Sequence, residues 1–312
     1  MKYTYKLETL GVGTLATIDG APDNGFLNCA AGAYSSGLRH DSTAAAINNL
    51  VGGLPLVADT AGAKNPVIVG HGNEGLLVAG EGQNASDSRK FLMTWNEADW
   101  GPELQRLQPK GFPILTIISC HTGAGNDGAD LLFAIAKRIN RAVQARTGFT
   151  YCGNNSITYE DNSVWQVATP TTRPNPIQAP TPHFVTDLQN INLQEGGRML
   201  NLDISSLVEI TFHKASFSDR SVSKGAQLFS VDGDTAKGLL SQVDFNNPFE
   251  PGGVPAAVIT GILSLKGKDT SGGDILQDFT VFNDRLLQDN QEPSIFYSVA
   301  SGFRLAVQHL SR

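Results

Sequence analysis

The stretch Ile114-Leu115-Thr116-Ile117-Ile118-Ser119-Cys120-His121-Thr122-Gly123-Ala124-Gly125-Asn126 contains the strongest fold signal in the chain. Its first five residues are apolar or β-branched, which predicts a parallel strand buried on both faces. The run ends at Ser119-Cys120, a loop with two glycines follows, and apolar residues at helical spacing predict a helix over residues 129–146. A strand, a loop and a helix in this order form half of a βαβ unit. In such sheets functional groups collect beyond the carboxyl ends of the strands, which is where Cys120 lies.

An earlier segment, Pro66-Val67-Ile68-Val69-Gly70-His71-Gly72, has the same form and ends in a histidine between two glycines. If these two strands are parallel neighbours, His71 and Cys120 lie side by side at one edge of the sheet. A thiol needs a base or a cationic neighbour to become a thiolate near neutral pH. The two strand ends therefore predict a nucleophilic cysteine with a histidine partner.

Strands and helices alternate through residues 1–165, which predicts a mostly parallel α/β sheet flanked by helices. The first strand or hairpin is expected within residues 7–18. Residues 148–153 are expected to form the strand next to that of Cys120. Residues 19–41 are rich in Gly, Asn and Ser, and they are expected to form a long loop or a weakly structured region; a long loop in a compact domain is often functional.

The composition changes in residues 166–183, because positions 168–183 hold five of the fifteen prolines of the chain. Such a segment favours an extended chain and predicts a linker or a surface strap. Over residues 184–312 apolar and polar residues alternate, which predicts an antiparallel, β-rich C-terminal domain. This alternation is seen in Val208-Ile210-Phe212, in Ile259, Leu263 and Leu265, and in Phe303-Leu305-Val307. We expect this domain to bind a regulatory or target protein and residues 1–165 to perform the chemistry.

Composition and charge exclude several classes of function. The net charge of −7 argues against nucleic-acid binding, which usually needs a basic face. No window approaches the ~20 apolar residues of a membrane span, and the N-terminus lacks the apolar core of a signal peptide. The cysteines are three in number and widely spaced, so we expect no disulfide framework and a reducing, cytoplasmic location. No cofactor or metal is expected, since Asp232-Gly233-Asp234 lacks the remaining oxygen ligands of a calcium loop.

The His-Gly and Ser-Cys strand ends, separated by roughly 50 residues as in caspases, resemble those of the caspase-like (clan CD) cysteine peptidases. The resemblance covers about residues 60–155 and is closer to the bacterial clostripain, gingipain and CHAT-type members. Ile118-Ser119-Cys120-His121-Thr122 replaces the caspase pentapeptide Gln-Ala-Cys-Arg-Gly. The resemblance implies that Cys120 is the nucleophile and His71 the general acid/base. It also implies an oxyanion hole formed by the backbone N–H groups of Gly72 and Cys120, and no third carboxylate is visible in the sequence to orient His71.

The same resemblance implies a pocket for the substrate residue that precedes the cleaved bond, the P1 residue. The expected substrate-binding residues are Ile118, Ser119, Cys152, Asn154, Asn155 and Asp161. Most of these positions are neutral, so strict selectivity for Arg or Lys is not expected, although Glu160 and Asp161 could supply charge. Cys29 and Cys152 are interpreted as structural residues. The expected partner of the site is a protein or peptide substrate.

The sequence argues against two other enzyme classes, because each requires residues that are missing here. A cysteine phosphatase needs an arginine six residues after its cysteine to bind phosphate, and Asn126 stands there. An α/β-hydrolase needs a Gly-x-Ser-x-Gly elbow, which is missing from the sequence. The alternative that stays open is a catalytically inactive caspase-like protein that serves as an interaction or scaffold module.

Overall fold

The computed structural model describes residues 13–34, 37–58, 64–180, 192–195, 198–203, 206–207, 209–218, 221–245, 253–269, 271–283, 285–291, 293 and 295–311. Its strands, in chain order, are β1 (Thr14–Asp19), β2 (Leu38–His40), β3 (Asn65–Val69), β4 (Gly72–Asn73), β5 (Leu76–Val78), β6 (Phe91–Leu92), β7 (Ile114–Ile118), β8 (Ala142–Arg146), β9 (Thr150–Gly153), β10 (Ser156–Tyr159), β11 (Trp165–Ala168), β12 (Asn192–Glu195), β13 (Arg198–Asp203), β14 (Glu209–Ser218), β15 (Ser221–Val231), β16 (Val254–Pro255), β17 (Ile259–Asp269), β18 (Asp274–Phe282), β19 (Leu286–Asp289) and β20 (Phe296–Ser298). Its α-helices are α1 (Phe26–Ala33), α2 (Thr43–Gly53), α3 (Glu97–Gln105), α4 (Gly125–Ile139), α5 (Gly233–Leu240) and α6 (Ser301–Leu310).

The chain divides into two compact units with an interleaved boundary. The first contains residues 1–180 and Gly252–Val258, and the second contains residues 181–251 and 259–312. The first unit thus continues past residue 165 through the proline-rich stretch to Pro180. It also takes up a short segment from the part of the sequence that was assigned to the C-terminal domain.

A six-stranded sheet in the order β11-β8-β7-β3-β1-β2 organises the first unit. Five of its strands are parallel, and β11 pairs antiparallel with β8. Strands β3 and β7 are direct parallel neighbours, with Val69 opposite Ile118. This confirms the predicted mostly parallel sheet and places the ends that precede His71 and Cys120 at the same edge.

Local sequence explains the helices on this sheet. Helix α2 begins after Ser42, whose hydroxyl caps it by accepting a hydrogen bond from the Ala45 N–H. Helix α4 buries one apolar face in the same core as the sheet strands. The core-facing residues of α4 are Leu131, Leu132, Ala134, Ile135, Ala136 and Ile139.

The predicted helix over 129–146 is wrong in its last part. Helix α4 ends at Ile139 because Asn140 adopts a left-handed conformation (φ 52°), which closes the helix at its C-terminus. Beyond it, Val143 and Ala145 are buried at a spacing of two, as a strand requires. Strand β8 is therefore the neighbour of β7, and the predicted neighbour, residues 148–153, forms β9 in a different sheet.

The prediction of a long loop over 19–41 is also wrong, because the segment contains α1 and β2. Helix α1 has only eight residues, and contacts with the surrounding fold stabilise it. Phe26, Leu27 and Ala30 are fully buried, and the Asp23 carboxylate accepts hydrogen bonds from two backbone N–H groups at the helix start. Tertiary burial and a capping carboxylate thus override a composition that is typical of loops.

Two three-stranded sheets complete the first unit. One has the order β4-β5-β6. The other has the order β10-β9-β16, so that Val254–Pro255 pairs antiparallel with β9. The second sheet shows how the segment 253–258 is held in the first unit.

The second unit is an antiparallel sheet built around β17, which pairs with β13, β14 and β18. Its predicted β-rich character is confirmed, but one local prediction is wrong. Phe303-Leu305-Val307 belongs to helix α6, in which Phe303 and Val307 are buried while Leu305 is 68% exposed. A spacing of four residues, not two, therefore describes the buried face. Asp232 immediately precedes α5, so the Asp232-Gly233-Asp234 turn is a helix start.

Some predictions concern positions outside the described residues, namely part of the first strand (7–12), the end of the linker (181–183) and Val208. Among the helices that the structure describes, none is long and apolar enough to cross a membrane.

Candidate active site

The edge of the main sheet brings His71, Gly72 and Cys120 together, as the sequence predicted. His71 and Cys120 are each fully buried. Gly72 is required sterically, because a Cβ atom at this position would lie 2.4 Å from Thr122 Oγ1 and 2.9 Å from the carbonyl oxygen of Cys120. The two strand ends are therefore packed directly against each other, and the glycine permits that approach.

The His71 ring lies between two hydrogen-bond acceptors. Nε2 is 2.8 Å from Oδ2 of Asp23, and Nδ1 is 3.0 Å from the carbonyl oxygen of Ala257. The Phe26 ring packs against the imidazole with its centroid 5.6 Å away. Because a carboxylate and a carbonyl both only accept, the ring satisfies both partners when each nitrogen bears a proton. Both ring nitrogens therefore face acceptors, and one of these acceptors is a buried carboxylate.

Asp23 is the third group that the sequence did not reveal. Burial acts to raise the pKa of its carboxyl group, but hydrogen bonding and charge attraction to His71, with the N–H groups of Leu27 and Gly25, lower the pKa below the ordinary value of 3.8. Asp23 is therefore ionised near neutral pH and fixes the orientation of the His71 ring. A signal was present in Asp23-Asn24-Gly25, a typical turn sequence, but only the fold shows that this turn reaches His71.

The environment of Cys120 is different. Its Sγ accepts a hydrogen bond from the Thr150 N–H (3.2 Å) and donates one to the Thr150 carbonyl (3.4 Å). Burial is the largest effect and raises the pKa of the thiol well above its ordinary value. The hydrogen bond from the Thr150 backbone lowers this pKa, the negative charge of Glu160 raises it by a smaller amount, and the Ala256 backbone has the smallest, lowering effect. The thiol is therefore neutral in this arrangement.

Two backbone N–H groups converge on a single carbonyl oxygen beside the thiol. Gly72 N–H and Cys120 N–H each donate to the Ala256 carbonyl oxygen, both with N···O distances of 3.1 Å. These are the two donors that the resemblance assigned to an oxyanion hole. Rigid backbone donors aimed at one oxygen are the arrangement that stabilises the negative charge of a tetrahedral intermediate.

Cys29 and Cys152 form a disulfide, which makes Cys120 the free cysteine of the chain. The expectation of no disulfide is therefore wrong, and with it the reason for choosing a reducing compartment. The sequence spacing did not indicate this bond, because the two cysteines are 123 residues apart. They belong to α1 and β9, which meet only in the folded protein. The bond joins the helix that follows Asp23 to the strand whose Thr150 contacts Cys120.

The predicted P1-pocket residues are distributed over several places. Ile118 ends β7, and the Ser119 hydroxyl is 2.6 Å from that of Thr122, within the loop itself. Cys152 is opposite Val254 in the β9–β16 pair. Asn154 and Asn155 form the left-handed turn of the β9–β10 hairpin, and Asp161 lies in an exposed turn after it.

Contacts that the sequence did not indicate come from Asn24 and Thr150. The Asn24 side-chain amide donates to the carbonyl of Pro255 (3.2 Å), and the Ala256 N–H donates to the carbonyl of Thr150 (2.8 Å). Among the residues that the structure describes, no three His, Cys, Asp or Glu side chains cluster in a way that would hold a metal ion. No protein-family model, curated protein or solved structure matches this chain.

Proposed function

We propose that this protein is a caspase-like cysteine endopeptidase that cleaves peptide bonds through an acyl-enzyme thioester on Cys120. The observation that supports the proposal most strongly is the convergence of the Gly72 and Cys120 N–H groups on one carbonyl oxygen. A peptidase needs this feature beside its nucleophile, because charge develops on the carbonyl oxygen during attack. The parallel sheet, with His71 and Cys120 after neighbouring strands, supports the caspase-like assignment.

The roles follow from the contacts. Cys120 attacks the carbonyl carbon of the substrate, and the Gly72 and Cys120 N–H groups hold the resulting oxyanion. His71 donates a proton to the leaving amine and later removes one from the attacking water. Asp23 acts through His71 as a positioning residue, since it fixes the ring and stabilises the protonated form. No cofactor takes part in the proposed reaction.

A catalytically inactive scaffold of the same fold is the second candidate, and one observation favours it. Cys120 is completely buried, and its thiol is held neutral, whereas catalytic cysteines are usually partly exposed and have a lowered pKa. In this case the second unit would select a partner protein, and the first unit would serve as a rigid support. In the enzyme, the second unit would select or regulate the substrate.

The disulfide also changes the expected location. Disulfides persist in oxidising compartments and are rare in the cytosol of most organisms. The Cys29–Cys152 bond therefore favours an oxidising compartment over the cytoplasmic location that the cysteine count suggested.

The deciding experiment incubates the full-length chain with an unbiased peptide library and identifies the products by mass spectrometry. Cleavage is expected for the wild type and for Gly52→Ala, a control at an exposed helix position where an added Cβ meets nothing within 4 Å. Cys120→Ala and His71→Ala are expected to abolish cleavage while the circular dichroism spectrum is unchanged. Turnover that persists in Cys120→Ala would exclude the mechanism, and an inert wild type would favour the scaffold.

A further inference from the structure

Residues 253–258 of this chain lie in the candidate active site as an extended peptide. Val254 and Pro255 pair antiparallel with Cys152 and Tyr151 of β9. The carbonyl of Pro255 accepts from Asn24, that of Ala256 from Gly72 and Cys120, and that of Ala257 from His71. Val258 packs on an apolar cluster formed by Leu76, Val78 and Phe91. The segment is thus bound at consecutive residues on both sides of the Ala256–Ala257 bond.

The position of the oxyanion hole identifies which bond faces the nucleophile. The residue whose carbonyl oxygen accepts from both donors is the P1 residue, because that oxygen becomes the oxyanion on attack. Ala256 is this residue, because its carbonyl oxygen accepts hydrogen bonds from both Gly72 and Cys120. The next residue, Ala257, would provide the leaving amine on the side of His71.

We propose that the Ala256–Ala257 bond is the first substrate of this enzyme, and that its substrate class is extended peptides with alanine or a similarly small residue at P1. The inference rests on the proposed peptidase function and adds a self-cleavage site and a specificity to it. Until the bond is cut, the segment fills the cleft and excludes other substrates. Ala256 and Ala257 are both fully buried, so a long side chain at either position would meet packed protein atoms.

The reaction balances with the groups present and one water molecule. When local opening of the cleft admits water, Cys120 loses its thiol proton to that water, and the thiolate attacks the carbonyl carbon of Ala256. The C–N bond to Ala257 breaks, the His71 imidazolium donates its proton to the Ala257 nitrogen, and a thioester between Cys120 and Ala256 remains. Water then hydrolyses the thioester with His71 as the base. The products are the Ala256 carboxylate, a new N-terminus at Ala257, and the regenerated thiolate and imidazolium.

The bound segment itself indicates which residues the site accepts before the cleaved bond, namely a short apolar sequence. Pro255 has no N–H to donate, and its carbonyl provides the contact to Asn24. Gly253 approaches β9 so closely that an added Cβ would lie 2.4 Å from the Cys152 backbone. The sequence Gly253-Val254-Pro255-Ala256 therefore follows β9 with little space for larger side chains at its first and last positions.

The primary test is intact-mass analysis of the purified full-length protein over time, with N-terminal sequencing of the products. The wild type is expected to give fragments 1–256 and 257–312, and Cys120→Ala is expected to stay intact. In the peptide assay, an acylated Val-Pro-Ala amide should be cleaved at least tenfold faster than Val-Pro-Arg or Val-Pro-Asp amides. A wild type that cleaves the peptide library through Cys120, but leaves the 256–257 bond intact or prefers a large P1 residue, overturns this inference and leaves the peptidase proposal standing.

Substitutions at two positions of the segment provide a second test. Ala256→Lys is expected to prevent self-cleavage, whereas Ala256→Gly retains it, because only the second fits the space of a methyl group. Gly253→Ala should displace the segment from β9 and raise the rate of Cys120 alkylation at least tenfold over that of Gly52→Ala. Self-cleavage of Ala256→Lys at the wild-type rate, or equal alkylation of the two glycine variants, would contradict the assignment. Circular dichroism of each variant identifies those that fail to fold.

Discussion

The two strand ends of the candidate site lie side by side, yet their electrostatic environments differ. At the end of β3, the His71 ring is hydrogen-bonded to an ionised carboxylate. At the end of β7, Cys120 is fully buried, is hydrogen-bonded to a neutral peptide group and has a raised pKa. A reactive cysteine normally owes its lowered pKa to a cationic neighbour.

This difference suggests that the site is assembled but not activated. The two ring nitrogens of His71 face Asp23 on one side and the carbonyl of Ala257 on the other. The peptide segment thus takes the hydrogen bond of the imidazole nitrogen that faces the site, and it covers the thiol. Removal of the segment would change both conditions at once.

The largest expected effect is a loss of peptidase activity when the negative charge of Asp23, the hydrogen-bond partner of His71, is removed. Asp23→Asn keeps an oxygen acceptor for the backbone of α1 but removes the charge that stabilises the imidazolium. We expect peptide cleavage to fall by ~10²–10⁴-fold, the usual contribution of a general acid or base. Asp99→Asn, the same change at an exposed position of α3, serves as the control. Activity within threefold of the control would show that Asp23 does not act through His71.

The same variant has a distinct pH signature. The folded-state pKa of Asp23 is below the ordinary 3.8, so its ionised form stabilises the fold above that pH, and this contribution is lost as the pH falls through the folded value. The stability difference between the wild type and Asp23→Asn should therefore shrink as the pH falls below about 4. Urea unfolding from pH 3 to 5 measures it, and a difference that grows as the pH falls through this range would contradict the pairing.

The sequence predicted His71, Gly72 and Cys120 because strand ends and glycine turns have local signatures. Asp23 could not be assigned in the same way, since it is 48 residues from His71, and Ala257 is 186 residues away. Such contacts depend on how elements pack, and no period or spacing encodes them. The end of α4 could not be predicted either, because Val143 fits both a helical and a strand pattern. Only the left-handed conformation of Asn140 in the structure shows that the helix ends before it.

The next effect concerns the link between the two ends. The Cys29–Cys152 bond closes a segment of 123 residues and connects the Asp23 side of the site to the Thr150 side. Its loss should lower the free energy of unfolding by about 2–5 kcal/mol, mainly because the unfolded chain gains freedom. Denaturant unfolding of the oxidised wild type and of a Cys29→Ser/Cys152→Ser variant measures the change. A reductant should destabilise the wild type and leave the double variant unaffected, and equal stability of all samples would show that the bond contributes nothing.

The smallest expected effect is a modest increase in the reactivity of the Cys120 thiol when the charge of Glu160 is removed. Glu160 raises the thiol pKa through its charge, and its carboxylate accepts a hydrogen bond from the Phe149 N–H at 2.8 Å. Glu160→Gln removes the charge and keeps a side-chain oxygen for that N–H, so the thiol pKa should fall. Since burial is the larger cause and is unchanged, alkylation of Cys120 at a fixed mildly alkaline pH should accelerate only a few-fold.

Glu103→Gln on α3 controls for the general loss of a negative charge. Because the other two cysteines form the disulfide, reagent uptake reports on Cys120 alone, and slower alkylation in Glu160→Gln than in Glu103→Gln would contradict the electrostatic role of Glu160.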